Sequence, residues 1–390
     1  MVAHQTPPRA GEPPEGGQPG LGTNYRAPKL ARHCRAAALG AVLLGSLAVA
    51  TACTTSTNVT PADQDLVVKV GDSFAATHPI GRSGTEVFMD TLEAQGPEAG
   101  MEVEYFASGQ LGKQRDMPAV LRTGIAQIAA VSPAYVGTQL PLSNVGDLPG
   151  FTQDPCVGGD AMLEIMQPGT ALYEAELAPQ GLHPLWVAYI PGYEAMSGGF
   201  PIDSIDALSG KIMRSTGGAA DRVVDEAGAA GVSMPLGDMY EAISRGTVEG
   251  TLASPISITP YSLEEVIHYS TDGARLGSFT VTYSVSTQVW EEMTPEQQAV
   301  LTEASALAHN SVCEELTRSM DESKQAMRDS GVQMMEVTDA ERPEWEALAE
   351  PVRDAWVKDL ESIGLPAGQV LDDFTTALER AETEHGDDRP

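Results

Sequence analysis

The sequence predicts an α/β fold of two lobes, with a cleft between the lobes and one long helix that bridges both. Three observations predict it. Strand and helix patterns alternate over residues 66–130, they alternate again over 184–246, and a capped helical pattern runs from 294 to 330. Strands that alternate with helices form mostly parallel sheets. A chain of 390 residues is long enough for two such units.

The first lobe begins with the strand pattern LVVKVG (66–71), which a helical spacing of apolar residues follows over 82–95. MEVEYF (101–106) alternates as a second strand. Residues 116–122 form a short helical pattern, and IAQIAA (125–130) is the third strand. These elements predict one βαβ layer.

The alternation of strands and helices resumes later in the chain. PLWVAYI (184–190) and GKIMR (210–214) are strand patterns, and residues 221–230 have helical spacing. GVSMPL (231–236) is a short strand that a helix over 238–246 follows. A second βαβ set indicates a second lobe.

The most clearly marked helix covers residues 294–330. Thr294 is its predicted N-cap, Pro295 its first residue, Gln297 completes a capping box, and Gly331 ends it. Such a helix is about 50 Å long, enough to run along two lobes. A strand over 332–338 and acidic helices over 343–383 follow. The predicted boundaries are 66–191 with 280–319 for lobe I, and 192–279 with 320–386 for lobe II.

The N-terminal region has the pattern of an export signal. Residues 1–52 contain five Lys/Arg and two Glu, and the apolar run 36–52 ends in small residues directly before Cys53. The run is shorter than the ~20 residues of a membrane span. Cys53 stands where a bacterial lipobox has its lipidated cysteine, although Ala50 replaces the usual leucine. We expect removal of 1–52, a flexible tether over 53–65, and lipid anchoring at the outer face of the cell membrane. The alternative is a plain secretory signal.

Composition excludes some functions and leaves others open. The formal net charge of −32 argues against nucleic-acid binding, because a polyanion would be repelled. We find no catalytic motif, no phosphate-binding loop, no zinc spacing and no sign of a cofactor. Cys156 and Cys313 are the cysteines beyond Cys53. Export permits a disulfide between them, and two buried free thiols are the alternative.

Several segments in order resemble the solute receptors of TRAP transporters (the DctP type). THPIGRSGTEVFMDTLEAQ (77–95) and the G-Q-L-G step at 109–112 resemble their N-terminal half. GDLPGF (146–151) is similar to their Leu-Pro-aromatic turn, and VSMPLGDMYEAISRGTVEG (232–250) to a later conserved stretch. The resemblance spans about 65–345. It implies a periplasmic-binding-protein-like fold that closes over a small organic acid and delivers it to a TRAP-type membrane permease.

The resemblance assigns a role to Arg214. GKIMR (210–214) resembles the family's G-x-K-x-R element, with the lysine displaced by one, and the arginine of that element binds the substrate carboxylate. A guanidinium makes two parallel hydrogen bonds to a carboxylate, whereas lysine presents a point charge. Ser215 and the backbone N–H groups after it are expected to complete the anion site. The alternative is a structural arginine paired with an acid.

The chain also departs from the family. Many members carry a second base in a G-x-R step where this chain has Gly192, Tyr193 and Glu194. The Glu-Asn that many members have after the V-D-G step is absent, and Ala253 lies there. We therefore expect a ligand with one carboxylate and an apolar, hydroxylated or cationic portion. Glu194 either contacts that portion or faces solvent.

Other residues are expected in the cleft because ligands of open α/β sheets gather at the carboxyl ends of strands. These are Phe74, Ser132, Tyr135 and Leu236. The sequence thus predicts a lipid-anchored solute receptor, not an enzyme. An ABC-type receptor and an exported enzyme on the same scaffold are the alternatives, and the long helix argues against the first.

Overall fold

The computed structural model describes residues 65–387. The predicted signal region 1–52, the lipidation site Cys53 and the tether, apart from Asp65, lie outside the described residues. No helix among the described residues combines the length and apolar character that a membrane span requires.

The described residues form eleven strands and ten α-helices. The strands are β1 (Leu66–Gly71), β2 (Met101–Phe106), β3 (Ile128–Val131), β4 (Leu182–Ile190), β5 (Glu194–Ser197), β6 (Ile212–Ser215), β7 (Ala230–Ser233), β8 (Gly250–Ala253), β9 (Tyr269–Asp272), β10 (Phe279–Ser286) and β11 (Gln333–Glu336). The helices are α1 (Glu86–Gln95), α2 (Met117–Arg122), α3 (Pro155–Ile165), α4 (Ala219–Glu226), α5 (Met239–Ser244), α6 (Thr287–Glu292), α7 (Pro295–Asp329), α8 (Arg342–Glu346), α9 (Ala349–Ser362) and α10 (Ala367–Asp387).

Each lobe is built on one sheet, which confirms the predicted two-lobed α/β class. The lobe I sheet has the order β2-β1-β3-β10-β4, with β1 parallel to β2 and β3 and with β10 antiparallel to β3 and β4. The lobe II sheet has the order β11-β9-β5-β8-β6-β7. In it β6 runs parallel to both β7 and β8, so the carboxyl ends of these three strands lie at one edge.

Sequence patterns located some of the strands and helices and missed others. The strands at 66–71 and 101–106 match prediction, and the third strand begins at Ile128 instead of residue 125. Four strands, β5, β8, β9 and β10, were not predicted. Three of them have four residues, too few for an alternating pattern to show. Helix α3 was also missed, since it contains two consecutive glycines, which disfavour helices.

The chain crosses between the lobes twice through extended segments. Residues 191–193 join β4 to β5, and residues 273–278 join β9 to β10. The two crossovers bind each other, because the Tyr193 N–H donates to the Gly277 carbonyl (3.1 Å) and the Leu276 N–H donates to the Tyr193 carbonyl (2.8 Å). They form a paired hinge between the lobes.

Helix α7 is the third connection between the lobes, as predicted. Thr294 and Gln297 form the expected capping box, with N–H···O distances of 3.3 and 3.0 Å. Its N-terminal half buries Leu301 and neighbouring apolar residues in the lobe I core. Near its C-terminus, Met327 joins the smaller core of lobe II. At about 1.5 Å per residue its 35 residues span about 50 Å.

A disulfide joins α3 to α7. Cys156 and Cys313 are bonded, and 157 positions of sequence separate them. Of the two alternatives that the sequence left open, the structure thus contains the bonded pair.

The C-terminal helices contact both lobes, whereas the sequence analysis placed all of 320–386 in lobe II. Helix α9 packs on α4 of lobe II, where Arg222 Nη1 binds Asp359 Oδ2 at 2.7 Å. Helix α10 packs along α3 of lobe I, and the rings of Phe151 and Phe374 meet edge to face at 5.0 Å. The apolar stripe of α10 marks a buried face in the sequence but does not indicate which lobe covers it.

Candidate functional site

Arg214 lies buried at the carboxyl end of β6, beside Val232 of β7 and Thr251 of β8. Only 1% of its surface is exposed. Its Nε–H donates to the Met234 carbonyl (3.0 Å) and its Nη1 to the Leu252 carbonyl (3.2 Å), both in lobe II. Its Nη2 donates to the Tyr135 hydroxyl of lobe I (3.0 Å). The side chain therefore joins the two lobes at the strand ends.

The guanidinium has no acidic partner within 4 Å among the described residues. A guanidinium has five N–H donors, and Arg214 uses three of them, one on each nitrogen. The two that remain belong to Nη1 and Nη2. A carboxylate accepts this pair of donors in a bidentate arrangement. Because a buried, uncompensated charge costs several kcal/mol, the site is suited to an anion supplied from outside.

Aromatic rings line the lobe I and hinge side of Arg214. Tyr135 packs edge to face on Phe279 with ring centroids 5.4 Å apart, and the Tyr193 ring lies parallel to Phe279 at 6.3 Å. Burial raises the pKa of the Tyr135 hydroxyl, an effect that the charge of Arg214 opposes. Burial raises the pKa of Tyr193 further, and Tyr135 adds to it. Both phenols are therefore neutral at physiological pH.

A second aromatic group lies across the lobes. Phe74, just after β1, packs on His78 (5.2 Å), and His78 faces Tyr261 of lobe II (6.4 Å). The Tyr261 hydroxyl accepts a hydrogen bond from the Ala75 N–H at 3.2 Å. Burial and the charge of Arg82 lower the pKa of His78 to about 3, so its imidazole is neutral. Arg82 is itself paired with Glu315, so this wall presents mainly apolar surface and no unpaired cation among the described residues.

The carboxylate of Asp72 fixes the loop that presents Phe74. Its Oδ1 accepts from the Phe74 N–H (2.8 Å), and its Oδ2 accepts from the hydroxyls of Thr85 (2.7 Å) and Tyr283 (2.8 Å). Burial raises its pKa, and these hydrogen bonds oppose the rise. Phe74 is therefore held by a buried polar network.

Two glycines that follow Arg214 allow the lobes to approach each other closely. Gly217 and Gly218 both have positive φ, of 97° and 54°. A Cβ at Gly217 would lie 2.6 Å from the Ala134 carbonyl, and a Cβ at Gly218 would lie 2.0 Å from Asn144 Oδ1. A side chain at either position would prevent this contact.

The carboxylate of Glu194 is occupied by hydrogen bonds within the protein. It is the first residue of β5, and its buried carboxylate accepts hydrogen bonds from the Thr271 hydroxyl (2.6 Å) and the N–H groups of Gly273 (2.8 Å) and Ala274 (3.0 Å). Burial raises its pKa, and these hydrogen bonds oppose the rise. Glu194 thus holds the second crossover in place through hydrogen bonds. The sequence led us to expect that it contacts the ligand or faces solvent, and its hydrogen bonds within the protein correspond to neither role.

Ser215 is also occupied within lobe II. Its hydroxyl donates to Asp221 Oδ1 and accepts from the Gly217 N–H (3.1 Å), so it shapes the glycine turn. Leu236 and Ala253 lie in the lobe II core at the ends of neighbouring elements, where they contribute apolar surface.

Several buried polar atoms have no hydrogen-bond partner in the described part of the chain. They include the hydroxyls of Ser73, Ser132 and Ser254, which follow strands β1, β3 and β8, and Asn144 Oδ1. Unpaired buried polar atoms are rare, and each calls for an explanation such as a ligand or water. Ser132 was expected from its place after β3. Asn144 and Ser254 were missed, since no local pattern distinguishes them from ordinary loop residues.

Asp147 predicts a pH dependence of stability. Burial raises its pKa to about 8, although the Thr280 N–H donates to its Oδ1 at 2.7 Å. Between about pH 4 and pH 8 the folded protein keeps a proton that the unfolded chain has released. The free energy of unfolding therefore falls as pH rises through this window, by at most about 1.4 kcal/mol per pH unit from this group. Asp147→Asn should gain stability relative to wild type as pH rises from 5 to 8.

Urea unfolding of both proteins at several pH values measures this difference. Asp203→Asn, at an exposed position of lobe II, is the control and should follow wild type. Parallel curves for wild type and Asp147→Asn would show that Asp147 ionises normally.

Fold and site together define a class: a two-lobed binding protein with a buried cationic anchor where the lobes meet. The sequence profile of the bacterial extracellular solute-binding proteins, family 7 (DctP), matches residues 70–359. The chain belongs to this family, which is a family of solute receptors and not of enzymes.

Individual relatives are consistent with this family assignment. The C4-dicarboxylate-binding periplasmic protein DctP of Rhodobacter capsulatus is 25% identical over 320 residues, covering 80% of this chain and 92% of that protein. A TRAP solute-binding protein of Rhodoferax ferrireducens, solved with copurified benzoate, superposes with a TM-score of 0.73 at 17% identity, over 82% of this chain and 99% of that one. A TRAP solute-binding protein of Bordetella bronchiseptica with bound mandelate superposes with a TM-score of 0.71 at 16% identity. The match covers 81% of this chain and 99% of that one. At these identities the solved structures show the shared fold.

Proposed function

We propose that this protein binds a small organic acid with a single carboxylate, held by Arg214, and delivers it to a TRAP-type membrane permease. One observation carries the proposal. Arg214 is buried where the lobes meet, lacks an acidic partner among the described residues, and has one unused N–H on each terminal nitrogen. Burial strengthens the pairing with a carboxylate, since water no longer screens it.

The surroundings of Arg214 support one carboxylate over two. A second carboxylate needs a second cation, and His78 is neutral. Lys113 and Arg115 both contact Asp238 at an exposed position. A cationic ligand portion is not supported either, because the Glu194 carboxylate already accepts hydrogen bonds from Thr271 and from the second crossover.

The remaining surface favours an uncharged and largely apolar portion. Tyr135, Tyr193 and Phe279 form one aromatic group, and Phe74 with Tyr261 flanks the other side. The unpaired hydroxyls of Ser132 and Ser254 would bind a hydroxyl or carbonyl on the ligand. Similar proteins solved with benzoate and mandelate support this ligand class.

Calorimetric titration of the protein from residue 65 onward tests the proposal. We expect a monocarboxylate from a panel of benzoate, mandelate and aliphatic acids to bind about 100-fold more tightly than succinate. The uncharged control benzamide should not bind, because it lacks the charge that Arg214 requires. The ligand recovered afterwards should be chemically unchanged, as expected of a receptor. Tight succinate binding would contradict the single-carboxylate assignment.

We also propose that Cys53 carries a lipid anchor that holds the receptor beside the permease at the outer face of the cell membrane. The apolar run that ends directly before Cys53 supports this. Fractionation of cells that express Cys53→Ala is the test, and membrane retention equal to that of wild type would exclude the anchor.

A further inference from the structure

A cavity of about 620 Å³ lies at the hinge, apart from the Arg214 site. All three connections between the lobes contribute to its walls: Gly192 from the first crossover, Arg275 from the second, and Lys324 and Arg328 from α7. Strand β11 and Arg342 complete it. A ligand here would therefore touch both crossovers and helix α7.

The cavity concentrates basic side chains in an acidic protein. The chain has 23 Lys and Arg against 55 Asp and Glu, yet in this cavity the four basic residues outnumber the three acidic ones, Glu194, Asp272 and Glu336. Lys324 and Arg328 share a single carboxylate, that of Asp272, at 2.7 and 2.6 Å. Their positive charge is thus only half compensated by that acid.

The other two cations are also incompletely paired. Arg342 donates to the carbonyls of Gly273 (3.2 Å) and Val337 (3.4 Å), and its acidic contact, Asp339, is fully exposed. Arg275 has no ion pair and no hydrogen bond from its side chain among the described residues. Glu194 also lines the cavity, but its carboxylate accepts hydrogen bonds from Thr271 and from backbone N–H groups.

The backbone of Arg275 is also strained. Its φ is +54°, in the left-handed region that residues other than glycine rarely adopt. Its neighbours Ala274 and Leu276 are buried and hold it there. Within residues 65–387 no hydrogen bond or ion pair of the side chain compensates this strain, and strained residues cluster at ligand sites.

We propose that the hinge cavity is a second anion site, which takes a small multivalent oxyanion such as a phosphate or a polycarboxylate. The cavity is formed with the lobes in contact, as at Gly218 and Asn144. Binding at the hinge therefore stabilises the closed arrangement. By linkage, an occupied hinge site raises the affinity of the cleft for its own ligand, and the reverse.

Thermal unfolding and calorimetry with inorganic phosphate and with citrate test the proposal, with sodium chloride at matched ionic strength. We expect at least one of the two anions to raise the Tm of wild type beyond the chloride value. Its Kd should rise about tenfold in Arg275→Ala, the factor for one lost charge-assisted hydrogen bond. The matched control is Arg245→Ala, which also removes an exposed arginine of lobe II and should bind like wild type.

The Arg214→Ala variant separates this site from the cleft. It should keep the response to phosphate or citrate, because the cavity does not include Arg214. Binding by phosphate alone or citrate alone supports the site and identifies which anion it takes. Three results would overturn it: equal shifts with chloride, equal affinity in Arg275→Ala and wild type, or loss of the response in Arg214→Ala.

Discussion

Arg214→Ala is expected to weaken ligand binding at least about 100-fold. The change removes two charge-assisted hydrogen bonds to the carboxylate, each worth about 1.5–3 kcal/mol. Arg214→Lys keeps the charge but loses the planar pair of donors, so it should fall between wild type and alanine. The Kd of all three proteins should be measured by calorimetric titration with the acid that binds wild type most tightly.

The fold should survive this substitution. Alanine leaves the carbonyls of Met234 and Leu252 without a donor, but it also removes a buried charge that has no acidic partner among the described residues. These effects oppose each other, and urea unfolding should show a smaller change than the loss of binding. Arg245→Ala is the control for removal of an arginine. If Arg214→Ala binds as tightly as wild type, Arg214 is structural and the site lies elsewhere.

Gly218→Ala is expected to reduce the affinity for the ligand by an order of magnitude or more, because the new side chain obstructs closure of the lobes. Its Cβ would lie 2.0 Å from Asn144 Oδ1 of lobe I, so the lobes must separate or Asn144 must move. The bound state requires closure, and the cost of this overlap therefore appears as lost affinity. Small-angle scattering should show a smaller ligand-induced compaction than in wild type.

Gly210→Ala is the matched control. Gly210 also has a positive φ, of 71°, but a Cβ there meets nothing within 4 Å. Both variants place a side chain at a positive φ, which costs at least about 1 kcal/mol, and only Gly218→Ala obstructs the lobe contact. Equal affinity losses in the two variants would show that backbone strain, and not closure, explains the effect.

Features that depend on residues close together in the sequence were predicted better than contacts between distant residues. The capping box of Thr294 and Gln297 and the strand at 66–71 depend on residues a few positions apart, and they were predicted correctly. Glu194 shows the opposite case. Its position beside Tyr193 suggested the cleft, but its partners Thr271 and Gly273 are 77 and 79 positions away.

The two-lobed α/β class, the long bridging helix and the candidate anchor Arg214 could be inferred from the amino-acid sequence, because repeated local patterns and an ordered series of motifs carry that information. The contacts of Arg214 became visible only in the folded chain. Tyr135 is 79 positions away, and the contact of Gly218 with Asn144 lies across the lobes. Such contacts depend on how two separately patterned sheets pack, and local backbone preferences do not encode that packing.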